Sequence, residues 1–177
     1  MGMHNLVERL SKLWSVFSSW ILWYFLAIAI VDNFVPRMEP RVSFSQKSVS
    51  IVHGREDPST HFHKRLLDLS FDVDVELGGL KTWNTREVFA YLSVTYLTDK
   101  TTKNEFVFWD RVFTETLSFR GENIKAKYKK GGVHAGGVDP GEMTVKLGWC
   151  VFPFVGQIRR GEKEVGKIRT PEFGKLA

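Results

Sequence analysis

The sequence predicts an all-β fold, an antiparallel β-sandwich, carried behind a single N-terminal transmembrane helix. Three observations carry that prediction. Leu13 to Val31 is free of charge. Leu67 to Leu77 alternates apolar and polar residues without a break. Beyond Pro40 the chain is a series of aromatic and β-branched runs separated by turn residues, with no convincing run at helical period.

The uncharged run reads LWSVFSSWILWYFLAIAIV. Its 19 residues reach about 28 Å as a helix, close to the hydrocarbon thickness of a bilayer. Ser15, Ser18 and Ser19 dilute its apolarity, but a hydroxyl can bond back to its own helix. Small residues also let a partner helix approach, so these three serines are candidate helix-contact residues. Trp14 sits near one end, where an amphipathic ring suits the interface. Arg9, Lys12 and the free amine precede the run against Glu8, whereas Asp32, then Arg37, Glu39 and Arg41, follow it. That bias directs the N-terminus to the cytoplasm and the rest of the chain to the other side. Ala27-Ile28-Ala29 also has the spacing of a cleavage site, so the residues alone admit a removed signal sequence. The run is long for that purpose and carries Trp20, Trp23 and Tyr24. The expected organisation is a tail at 1–12, the span at 13–31, a linker at 32–40 and the β domain at 41–177.

The linker DNFVPRMEP holds two prolines and steps away from the span. Arg41–His53 alternates at Val42 and Phe44, then at Val49 and Ile51. The slip of one position between the pairs predicts a bulge. The polar loop HGREDPSTHFHKR follows. In LDLSFDVDVEL every odd-numbered position from Leu67 to Leu77 is apolar, which predicts a strand with one dry and one wet face. TREVFAYLSVTYLT, Thr85–Thr98, is apolar on both faces and suits a central strand. TDKTTKN is a turn, and EFVFWDRVFTE is the next strand. Glu122–Tyr128 reads as a short edge strand, and Lys129–Glu142 as a Gly-rich loop. MTVKLGWCVFPF and EKEVGKIRTPEF close the domain. About seven strands without an internal helix make a sandwich the natural solution.

Composition excludes several classes of function. Cys150 is the only cysteine among 177 residues, which rules out an intrachain disulfide and a thiolate metal centre. The net charge of +5 concentrates in Lys125–Lys130 and Arg159–Lys175. Neither patch has a known nucleic-acid motif spacing, so both read as solvated faces and no nucleic-acid partner is expected. Nucleophile motifs such as G-x-S-x-G and H-E-x-x-H are absent. The acidic row Asp68, Asp72, Asp74 and Glu76 could be offered to calcium, but the Gly and Asn of a calcium loop are missing, so a solvated strand face is favoured. His61 and His63 have the spacing of two ligands on one strand face, and His53 could join them. No acidic or thiol ligand is placed to complete the set, so loop histidines are the plainer reading. No cofactor is expected.

Three segments in order carry a resemblance: WNTREVFAYLSVTYLT, then NEFVFWDRVF, then MTVKLGWCVFP. With the preceding span, the chain resembles the signal peptidase complex subunit 3 family, accessory subunits of the eukaryotic endoplasmic reticulum signal peptidase. The family pattern falls on Trp83, Asn84, Leu92, Ser93, Tyr96, Trp109, Asp110, Thr144, Leu147, Trp149, Val151 and Pro153, and its aromatic strand includes Tyr91. The motifs cover chiefly Leu66–Pro153. No N-x-[ST] acceptor occurs anywhere in the chain, although many relatives carry one just before the T-x-x-L-x-W strand.

The resemblance implies that the N-terminal run stays as a type II signal anchor in the endoplasmic reticulum membrane, with a luminal sandwich. It implies a non-catalytic role, bracing the catalytic subunit while signal peptides are removed. The implied partners are that subunit, the other complex subunits, membrane lipid and, indirectly, secretory preproteins. Consistent with this, the Ser-Met pair of the catalytic subunits is absent. Trp83, Asn84, Tyr91, Tyr96, Trp109, Asp110, Trp149 and Pro153 are the candidate pattern or interface residues. For Trp83 and Trp109, core packing is the competing role. A membrane-anchored or secreted luminal enzyme, or a receptor or adhesion domain on the same scaffold, is the alternative.

Overall fold

The computed structural model describes residues 3–56, 63–98, 102–128 and 142–169. Helix α1 runs Met3–Phe34, and seven strands follow: β1 Arg41–Glu56, β2 His63–Glu76, β3 Thr85–Thr98, β4 Thr102–Phe113, β5 Ser118–Lys125, β6 Glu142–Pro153 and β7 Arg159–Arg169. All strand pairs are antiparallel. The only helix between the described strands is the 3₁₀ turn Gly78–Leu80.

The strands form two sheets, β1-β2-β5 and β4-β3-β6-β7. They pack face to face because each carries one apolar face that must leave water. β2 supplies Leu69, Phe71, Val73 and Val75, and β3 supplies Val88, Ala90, Leu92 and Val94, all buried. Phe71 of β2 meets Phe108 of β4 edge to face at 5.2 Å, and Phe44 of β1 stacks on Phe71 at 5.7 Å. This aromatic cluster joins the two layers. At the open side, the Gln46 amide donates to Arg169 O at 3.2 Å and accepts from Arg169 N at 3.0 Å. One side chain thus bridges the edges of β1 and β7.

The expected bulge in β1 falls between Gln46 and Ser48. β3 is interior, between β4 and β6. Two boundaries differ from expectation. The edge strand expected at Glu122–Tyr128 is β5, Ser118–Lys125. Its alternation is broken by Asn123, which has φ 51°, a backbone conformation that asparagine tolerates better than most residues. Phe119, Gly121 and Ile124 therefore point inward with uneven spacing, and the period-2 signal is lost. The last strand also begins earlier than EKEVGKIRTPEF, at Arg159. The Gly-rich loop at 129–141 lies outside the described residues.

Candidate functional site, the junction of helix and sandwich

α1 is exposed along most of its length, so its apolar surface is not covered by the described parts of the sandwich. Ser18 Oγ donates to Trp14 O at 2.8 Å, and Ser19 Oγ donates to Ser15 O at 3.0 Å. Ser18 and Ser19 therefore satisfy their hydroxyls within the helix, and Ser15, Ser18 and Ser19 all stay exposed on one side of it. The helix ends at Phe34, two residues before Pro36, consistent with the extended backbone that proline imposes on its predecessor.

Among the described side chains of α1, only those at its C-terminal end are covered. Ile28 and Ala29 are half-buried and Asp32 is 4% exposed. These positions share one face of the helix. The turn between β6 and β7 lies on that face, with Gly156 against Ala29. Gly156 has φ 114°, a conformation in which a side chain would be strained.

Asp32 is the centre of the junction. Arg37 donates to both of its carboxylate oxygens, at 2.9 and 3.0 Å. Arg159, at the start of β7, donates to Asp32 O at 3.0 Å and to Asn33 Oδ1 at 2.6 Å. Its guanidinium also stands 3.9 Å from the Asp32 carboxylate. A carboxylate this deeply buried requires such partners. Beyond it, Met38 N donates to Gly79 O at 3.0 Å, so the linker is held to the domain as well.

Asn84 fixes the turn from the other side. It is 2% exposed. Its Nδ2 donates to Val155 O at 2.7 Å, and its Oδ1 accepts from Val155 N at 3.1 Å. Its own carbonyl accepts from Phe154 N at 2.8 Å. Pro153, half-buried, ends β6 and pairs with Thr85. Trp83 stands beside this clamp, 58% exposed.

The other pattern residues spread through the sandwich. Trp109 is 3% exposed and stacks on Phe119 at 5.5 Å, so it is a core residue and not a surface anchor. A register shift in β4 opposite Leu92 and Ser93 turns Phe108 and Trp109 inward together. Asp110 pairs with Lys127 at 3.0 Å. Tyr96 packs edge to face on Phe106 at 6.1 Å. Two aromatic–glycine pairs bracket β6. The Tyr91 ring lies over Gly148 on the outer face, and Trp149 lies over Gly161 on the core side. Burial, then the charges of Cys150, Glu105 and Glu162, push the Tyr91 phenol above its ordinary value.

The acidic row does not form a metal site. Among the described residues no group of three or more His, Cys, Asp or Glu is placed to hold an ion. Asp72 instead accepts from Asn123 N at 2.8 Å and pairs with Lys47 at 3.1 Å. The backbone bond chiefly holds its carboxyl below the usual range. The grouping of His53, His61 and His63 lies outside the described side chains.

Fold and junction define a class: a chain with one long apolar helix whose β-sandwich is locked to the helix end. The family model described as "Signal peptidase subunit" matches residues 3–172, and the chain belongs to that family. Signal peptidase complex subunit 3 of Yarrowia lipolytica is 29% identical over 190 aligned residues, covering 97% of this chain and 100% of the relative. The protein of the same name from Saccharomyces cerevisiae is 29% identical over 56% of this chain and 55% of its own. The Homo sapiens protein is 26% identical, with 87% of this chain and 86% of its own aligned.

Sequence reasoning missed Asp32, Arg37 and Arg159 as a unit. Asp32 and Arg37 entered only as flanking charges. The available signal was an acid placed directly against the apolar run, since such a group needs a cation from elsewhere in the fold.

Proposed function

We propose that this protein is a non-catalytic accessory subunit of the endoplasmic reticulum signal peptidase complex. Residues 13–31 cross the membrane as a type II anchor, 1–12 face the cytoplasm, 32–40 link, and 41–177 form the luminal sandwich. The sandwich braces the catalytic subunit while that subunit removes signal peptides, so secretory preproteins are met indirectly. The observation that carries the reading is the family match running through helix and sandwich together, residues 3–172. α1 supports the anchor, being long and apolar enough to cross a membrane.

The junction explains how bracing would work. A sandwich on a loose tether would contribute only effective concentration. One locked to its helix by Asp32, Arg37 and Arg159 fixes the height and orientation of whatever binds it. Trp83 is the exposed aromatic of the pattern and stands at the membrane end of the sandwich, beside the Asn84 clamp.

The test is reconstitution. Membranes depleted of this chain should cleave a secretory preprotein poorly and recover when it is returned. The purified chain alone should cleave nothing. Cleavage by the chain alone, or full activity without it, would overturn the reading.

A further inference from the structure

We propose that the sandwich itself inserts an apolar rim into the membrane, formed by the β6–β7 turn with Trp83 and Met38. The proposal rests on the reading that α1 spans the bilayer, and it assigns a second lipid-contact surface outside that helix.

The argument begins with depth. Gly156 packs against Ala29, which belongs to the uncharged run ending at Val31. Ala29 lies about 3 Å inside that end at 1.5 Å per residue. The turn is therefore pinned at the level where hydrocarbon gives way to headgroups. Its sequence suits the place. Val151 to Ile158 reads VFPFVGQI and carries no charge. Phe154 is 68% exposed and Ile158 49% exposed. The clamp from Asn84 to Val155 and Phe154 holds Phe154 in an ordered turn.

Trp83 precedes that clamp, and Met38 follows the helix through its bond to Gly79; they are 58% and 76% exposed. Outside α1, most of the large hydrophobics left exposed among the described residues gather at this one end. An apolar end surface needs a cover. Continuity with the span makes lipid that cover. The charges agree. Arg37 and Arg159 meet the one carboxylate of Asp32 just beyond the turn, leaving a net positive charge at headgroup height. Aromatic and aliphatic residues below and arginine above is the arrangement of an interfacial contact.

The test places an environment-sensitive fluorophore on single cysteines in a Cys150→Ser background, with the full chain in phosphatidylcholine vesicles. Phe154→Cys is the probe site, Ile158→Cys the second should the first fail to fold, Leu22→Cys the span control and Lys125→Cys the distal control. The expected result is quenching by brominated lipid of about twofold or more at 154 and at 22, and none at 125. Quenching at 22 with a water-exposed, unquenched label at 154 would overturn the rim and leave the span intact. No quenching at 22 would remove the span and the rim with it. A label at 154 that leaves water only when the catalytic subunit is added would assign the surface to protein and also overturn the proposal.

Discussion

Removing the Arg37 guanidinium should unlock the sandwich from the helix without unfolding it. In Arg37→Ala the Asp32 carboxylate keeps its burial and loses both short bonds, 2.9 and 3.0 Å. Stripping one partner from a buried pair costs roughly 3–5 kcal/mol. Arg159 remains 3.9 Å away and can close in, so about 2–3 kcal/mol is the better expectation. That energy sits at the junction, because the core lies between the sheets and none of its buried residues contacts Asp32 through a hydrogen bond. Amide hydrogen exchange separates the two. The Met38 amide, bonded to Gly79 O, should exchange roughly 30- to 150-fold faster in the variant, by the conversion of that opening energy. Amides of β3 should stay as protected as before. Unchanged Met38 exchange would refute the lock. Equal loss of protection in β3 would show that the pair supports the whole fold instead.

Other expectations follow from the same geometry. Asn84→Ala should lower stability by about 2–3 kcal/mol in denaturant unfolding, since both polar groups of Val155 lose their partners in a buried site. Gly148→Ala would drive a methyl into the Tyr91 ring, costing about 1–3 kcal/mol. Adding Tyr91→Ala should recover part of it, which a double-mutant cycle measures. Trp109→Ala should cost about 3–5 kcal/mol, whereas Trp83→Ala should change melting by under about 0.5 kcal/mol. The Tyr91 phenol, raised mainly by burial, binds its proton more tightly when folded. It contributes stability below the ordinary tyrosine value, lost as pH rises through the folded one. Comparing stability against pH with Tyr91→Phe should show the variant losing less at alkaline pH.

Where the fold was legible in sequence, simple periodicity made it so. Leu69 to Val75 alternate cleanly because β2 has one face on the core and one on water. Thr85–Thr98 matched β3 because a central strand cannot afford a polar run. The strand at 118–125 was hidden by the left-handed Asn123, which desynchronises the inward positions. Trp83 and Trp109 looked alike, and only the irregular register of β4 sends Trp109 inward, whereas Trp83 falls in a turn outside any strand. The junction was the least legible. Asp32 and Arg159 are 127 positions apart, and nothing local to either marks the other as its partner. The aromatic–glycine pairs were hidden for the same reason, since they exist only across strands.

The central claim is that this chain holds a catalytic subunit in place and performs no cleavage itself. Quantitative mass spectrometry of what co-purifies with it from a mild-detergent extract of its native membrane tests that most directly. The account predicts a stoichiometric small membrane protein carrying a Ser-Met pair and a distant histidine on the luminal side. Recovery of this chain alone, or only with unrelated proteins, would contradict it.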